Sequence, residues 1–93
     1  MRRAPVQIII KLYIMKLYYL HQTDNNNYDT YDSVIVCAEN EADARTITPD
    51  NGIFKEDEGY TWAHKASAIT CEEIGEANEK QTRGVILASY NAG

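Results

Sequence analysis

The sequence has few of the residue patterns that build common catalytic sites. Its five glycines are scattered, so no glycine-rich loop is present to bind a phosphate group. No serine stands in a nucleophile-elbow pattern. The two cysteines, Cys37 and Cys71, are not spaced as a redox or zinc pair, and their apolar neighbours favour reduced, buried thiols. A disulfide between them stays open. These absences predict a domain without enzymatic activity.

Basic residues and long apolar runs are also scarce. No apolar stretch approaches the ~20 residues of a membrane-spanning helix. The formal net charge is −5, but residues 15–93 hold six basic and fourteen acidic residues, a net of −8. Nucleic-acid binding needs a basic footprint, so this acidic body argues against it. The charge instead favours a partner protein with a basic surface.

The first 14 residues differ from the remainder. They contain Arg2, Arg3 and Lys11 and no acid, and a natural start would fit at Met15-Lys16-Leu17. We therefore predict an N-terminal extension at 1–14 and a single domain at 15–93. The extension is interpreted as upstream sequence that is disordered, or as a backward continuation of the first strand. A basic segment lying on a membrane surface is the rival interpretation.

The order of elements predicts an α+β domain. Apolar and aromatic runs predict strands at 16–22, 31–38, 67–74 and 84–90. Asn40 is a suitable N-cap for a short helix that ends before Pro49. The expected fold is a small antiparallel sheet of about four strands, in sequence order ββαββ, with one short helix packed on one face. The continuous apolar run of the last strand predicts a central position in the sheet.

No metal or cofactor site is predicted. The oxygen-rich segment Asp24–Asp32 lacks the glycine and the glutamate that a calcium loop requires at its sixth and twelfth positions. A hairpin turn suits its Asn and Asp residues better. The four candidate zinc ligands lack close spacing, and the same set is the source of any Cys–His nucleophile. They are His21, Cys37, His64 and Cys71.

Aromatic and acidic residues are the best candidates for binding a partner. Seven tyrosines accompany one Phe and one Trp, and Tyr and Trp are enriched at interface hot spots. The same rings can also serve to cover a small core. The candidate partner-binding residues are Tyr28, Asp29, Tyr31, Asp32, Glu56, Asp57, Glu58, Tyr60, Trp62 and His64.

Two stretches resemble a group of short phage and prophage proteins. They are Gln22–Arg45, with Tyr28-Asp29-Thr30-Tyr31-Asp32-Ser33 at its centre, and the terminal Gly84–Gly93. The similarity covers about residues 15–93. It implies an origin in a mobile element and a cytoplasmic location in a bacterial host. It carries no functional residue over, because no activity is attached to the group.

The expected function is that of a non-enzymatic accessory protein of phage type. It would bind a host protein through an acidic, tyrosine-rich surface, as anti-CRISPR and other anti-defence inhibitors do. One alternative is a small-ligand binder that sequesters a nucleotide-like molecule, and another is a small structural domain. A hydrolase or transferase built on His64 or Cys71 is the third alternative. A homodimer is also expected, since one short helix leaves much of a sheet face uncovered.

Overall fold

Residues 14–92, which the computed structural model describes, form an α+β fold with an antiparallel four-stranded sheet. The predicted extension at 1–14 lies almost wholly outside these residues. Among these described residues, one helix, α1, spans Glu41–Ala44, and a 3-10 turn spans Ala66–Ala68. The strands are β1 (Lys16–Gln22), β2 (Thr30–Ala38), β3 (Ile69–Glu76) and β4 (Gly84–Asn91).

The strands lie in the spatial order β3-β1-β2-β4, which differs from their order in the chain. The predicted antiparallel pairing of β1 with β2 is confirmed. The predicted central position of the last strand is wrong, because β4 pairs with β2 alone among the described strands and forms an edge. Leu87 and Tyr90 remain exposed there. An apolar run therefore does not by itself specify burial on both sides of a strand.

One face of the sheet, here called the inner face, holds the core. Strand alternation directs Tyr18 and Leu20 to this face, opposite Val36 and Val34 of β2. The segment at 39–68 covers these side chains. It contributes further buried core residues, namely Ala44, Ile47, Trp62 and Ala63. The predicted helix on one face of the sheet is found, but it is a single turn, and the irregular remainder of the segment at 39–68 also covers that face.

The helix begins where the sequence predicts but ends earlier. Asn40 accepts a hydrogen bond at Oδ1 from the Asp43 N–H at 2.8 Å, as expected of an N-cap. The Asp43 carboxylate in turn accepts from the Glu39 N–H at 3.0 Å. The chain leaves the helix after Ala44, and Ile47 forms an isolated antiparallel bridge with Ile53. This turn stands where the sequence predicts helix up to Pro49.

The two cysteines are free and cannot approach each other in this sheet. Cys37 lies opposite Leu17 and Cys71 opposite Leu20, so β1 separates them and they occupy opposite faces. Two strand spacings amount to about 9.6 Å. A disulfide requires Cα atoms within about 7 Å. The open question of a Cys37–Cys71 bond is therefore answered against it.

Candidate partner-binding surface

The predicted binding residues gather mainly at one end of the sheet. Two loops meet there: the β1–β2 connection at 23–29, called the hairpin loop, and the segment at 56–65, called the facing loop. Asn25 joins them from the hairpin loop and is buried. Its Nδ2 donates to the carbonyl oxygens of Tyr60 at 3.0 Å and Trp62 at 2.9 Å. One amide group thus fixes the backbone beneath Tyr60.

Asp24 makes a second bridge between the loops. One carboxylate oxygen accepts from the His64 N–H at 3.0 Å, and the other accepts from the Lys65 N–H, also at 3.0 Å. A carboxylate that receives two backbone N–H groups is a strong acceptor. Asp24 therefore supports the loops and is not a free charge for a ligand.

Gln22, at the end of β1, shapes the hairpin loop. It is fully buried and uses both ends of its amide. Nε2 donates to the carbonyl oxygens of Asn25 at 2.7 Å and Tyr31 at 3.0 Å. Oε1 accepts from the N–H groups of Asp24 at 3.0 Å and Asn25 at 2.9 Å. Sequence reasoning did not identify Gln22 or Asn25, since nothing in the local pattern marks a polar residue in this region as buried.

The loops present two exposed rings. Tyr28 is 75% exposed in the hairpin loop, and Tyr60 is 88% exposed in the facing loop. Tyr31 is half-buried and makes an edge contact with Tyr90 of β4, with ring centroids 4.8 Å apart. Partial desolvation, followed by the charge of Asp29, raises the pKa of Tyr90. Four tyrosines thus lie on or beside this surface, and two of them point freely into solvent.

Trp62 and His64 are placed differently from the exposed tyrosines. The Trp62 ring belongs to the core and is only 5% exposed, so it supports the surface from below. Its Nε1 has no hydrogen-bond partner among the described residues. His64 is half-buried, and its backbone oxygen accepts from the Asp57 N–H at 2.8 Å. Neither side chain offers a partner a fully accessible contact.

The acidic run Glu56-Asp57-Glu58 is largely occupied within its own loop. The Glu56 carboxylate accepts from the Ala66 N–H at 2.8 Å. Asp57 accepts from Lys65 Nζ at 2.6 Å, and this hydrogen bond raises the pKa of Lys65. In the part of the chain that the structure describes, the Glu58 side chain makes no hydrogen bond or ion pair. Glu56 and Asp57, two of the three predicted contact acids, therefore make hydrogen bonds within the protein.

The surface remains strongly acidic despite these internal bonds. Six carboxylates lie in or beside the two loops, against Lys55 and Lys65. They are Asp24, Asp29, Asp32, Glu56, Asp57 and Glu58. Asp29 and Asp32 are both exposed beside Tyr28 and Tyr31. We call this set of two loops, with Tyr28 and Tyr60 as its outermost rings, the acidic tyrosine surface.

A shallow cleft lies beside the facing loop. Its volume is about 240 Å³, and Phe54 and Trp62 supply its aromatic wall. Its charged lining residues are one base, Lys55, and two acids, Asp50 and Glu58. Pockets for drug-sized ligands usually measure about 300–1,000 Å³. This cleft lies below that range, and the alternative of a small-ligand binder stays a prediction.

Within residues 14–92, no three His, Cys, Asp or Glu side chains gather as a metal-binding group. The predicted zinc candidates are spread over separate places. His21 and Cys37 lie on the face opposite the core, His64 lies in the facing loop, and Cys71 is on the inner face. No nucleophile and base are therefore brought together by these four residues.

Comparisons with known proteins add no assignment. No protein-family model, curated protein or solved structure matches the chain. Among the described residues, no helix has the length and apolar character needed to cross a bilayer.

Proposed function

We propose that this chain is a non-enzymatic binding domain that recognises a basic protein surface through its acidic tyrosine surface. The observation that carries the proposal is the placement of Tyr28 and Tyr60. Both rings are exposed, yet they stand on loops that Asn25 and Asp24 hold together from below. Tyrosine is enriched at interface hot spots, so two exposed rings on ordered backbone support a binding role.

Preorganised loops favour tight binding. A partner that docks on ordered backbone does not have to pay the entropy of ordering it, and a tyrosine ring loses only two torsions on contact. Arginine and lysine side chains can make two kinds of contact with this surface. Their charges pair with Asp29 and Asp32, and their stems or guanidinium planes can lie against Tyr28 and Tyr60.

The chemistry of the surface also suggests a class of partner. Proteins that handle nucleic acids carry basic patches that bind phosphates. A surface with six carboxylates can occupy such a patch in place of the nucleic acid. In the phage setting that the sequence resemblance implies, the partner would be a bacterial protein in the cytoplasm, and the chain would act as an anti-defence or other accessory inhibitor.

The test is affinity capture from a bacterial lysate with three immobilised proteins. They are the wild type, the double variant Tyr28→Ala/Tyr60→Ala, and the control Ile53→Ala. Ile53 is 77% exposed in the segment at 39–68, outside the two loops, so the control removes an exposed apolar side chain elsewhere. We expect the wild type and the control to retain the same basic protein at low salt, and the double variant to lose it.

Salt supplies the second readout. The captured protein should elute as the ionic strength rises, because exposed charge pairs are screened over about 10 Å at 0.1 M salt. If the double variant retains the same proteins as the wild type, the proposed surface is wrong. If the wild type captures no protein that depends on these rings, the proposed function is wrong.

A further inference from the structure

A second surface of the sheet is apolar and lies away from the acidic tyrosine surface. The face opposite the core, called the outer face, carries Leu17 and Tyr19 of β1 paired with Cys37 and Ile35 of β2. Leu87 of β4 lies opposite Ile35 in register. The edge strands add Ile74 and Ile86, each the extra residue of a β-bulge. Ile74 precedes Gly75, which pairs with Leu17, and Ile86 precedes Leu87; both isoleucines are exposed.

These seven residues form one patch, which we call the outer patch. Strand pairing joins Leu17, Tyr19, Ile35, Cys37 and Leu87 across β1, β2 and β4, and the bulge residues Ile74 and Ile86 stand next to positions of this face in the two edge strands. At its centre Cys37 is enclosed, with Met15 Sδ 3.9 Å from its Sγ. Toward the edges Ile74 is 48% exposed and Leu87 is 65% exposed. Soluble monomers rarely leave a contiguous apolar patch of this kind in water.

The charge distribution favours a second copy of the chain as the occupant. The body of the protein is acidic, so most contacts between two copies would bring carboxylates together. The outer patch contains no charged residue, and Glu72 is the acid beside it, opposite Tyr19. Two copies can therefore meet here with little repulsion. A basic partner, by contrast, gains nothing from an uncharged face.

The size of the face fits a weak dimer. Four strands at ~4.8 Å and about seven residues at ~3.3 Å give a face of roughly 19 by 23 Å, or about 440 Å² in projection. Two such faces bury about 900 Å² before side-chain relief is added, whereas specific interfaces bury roughly 1,200–2,000 Å² of accessible surface. The face lies below the standard interface size, so we expect a dimer that dissociates on dilution.

We infer that the outer patch is the interface of a homodimer in which two sheets pack face to face. Sheets that stack in this way lie about 10 Å apart with strands nearly aligned, and their side chains interdigitate. A two-fold axis uses the same flat surface twice, so no further element is required. The acidic tyrosine surface stays accessible at the end of each sheet in such a pair.

The experiment is sedimentation velocity of the full chain over a dilution series from high to low micromolar. The wild type should shift from a mass near twice 10.5 kDa toward 10.5 kDa on dilution. Leu87→Glu on β4 and Ile74→Glu on β3 should each weaken association at least tenfold, because each buries a charge in the interface. The control is Ile53→Glu, an apolar residue that is 77% exposed in the segment at 39–68, and it should dimerise like the wild type.

The two variants separate a face-to-face dimer from other arrangements. A dimer formed by pairing of two β4 edges would respond to Leu87→Glu but not to Ile74→Glu, and this result would overturn the inference. A wild type that is monomeric at every concentration would also overturn the inference. This holds even if a variant without residues 1–13 associates, because the inference concerns the full chain. Thermal melts of each variant at low concentration confirm that the monomer is folded.

Discussion

On the inner face of the sheet, Leu20, Val34 and Val36 are enclosed, whereas on the outer face Tyr19, Ile86 and Leu87 keep between 37% and 65% of their surface exposed. Tyr19 and Leu20 are neighbours on β1 that point to opposite faces, and Leu87 of β4 pairs with Ile35, which stands between Val34 and Val36. The difference lies in what covers them. The long cover segment lies over the inner face alone, so the inner face stabilises the fold and the outer face is left to contact another molecule.

The sharpest contrast between the two faces is expected from leucine-to-alanine substitutions. Leu20→Ala should lower the free energy of unfolding by about 3 kcal/mol, since the site is fully enclosed and a cavity remains. Leu87→Ala should change it by less than about 0.5 kcal/mol in the monomer. Urea denaturation at low protein concentration measures both. Similar losses would contradict the assignment of the faces.

The connection between the hairpin loop and the facing loop can be tested at the buried amide of Asn25. Asn25→Ala leaves two buried carbonyl oxygens without their donor and should reduce stability by about 2 kcal/mol. Asn26→Ala, an exposed neighbour in the same loop, is the control and should lie within about 0.5 kcal/mol of the wild type. Thermal denaturation compares them. If the two variants are equally stable, the loops are not held by this clamp.

The ion pair between Arg83 and Asp43 should make the free energy of unfolding depend on pH. Arg83 precedes β4, and its hydrogen bonds to Asp43 lower the pKa of that carboxyl below its ordinary value, with help from the Glu39 N–H. A lowered folded-state pKa means that the stabilisation is present above the ordinary pKa and is lost as pH falls through the lowered one. Asp43→Asn should therefore cost about 1 kcal/mol at neutral pH, a figure kept small by the exposure of Arg83.

The same measurement carries its own control. The stability difference between Asp43→Asn and the wild type should shrink as the pH falls below the pKa of Asp43. Glu41→Gln removes the exposed pair with Arg45 on the same helix and should change stability by only about 0.3 kcal/mol. A difference for Asp43→Asn that stays constant down to acidic pH would show that its charge is not the cause.

Local pattern was enough to predict most elements but not their arrangement. Strand alternation and the Asn40 cap depend on neighbours in the chain, and both are found as predicted. The position of β4 depends on which strands pair across long sequence separations. The apolar run of β4 predicted a central strand, whereas β4 lies at an edge of the sheet. Its apolar residues Ile86 and Leu87 belong to the outer patch, which the alternation alone did not reveal.

The candidate site shows the same limit. Exposed Tyr28 and Tyr60 were identified by residue type, but so was Trp62, which turns inward to the core. The polar side chains that fix the loops are Gln22 at the end of β1 and Asn25 in the hairpin loop. They could not be recognised, because nothing in the sequence distinguishes a buried amide from an exposed one at such positions. Residue chemistry suggests what a surface can bind, and long-range hydrogen bonds decide which residues form it.

The division of roles between the two faces is tested most directly by methyl NMR of the wild type over a dilution series. Methyl signals of Ile74, Ile86 and Leu87 should move with protein concentration, and those of Leu20, Val34 and Val36 should hold their positions. Shifts of equal size in both groups, or methyl spectra that do not change with concentration, would contradict the account.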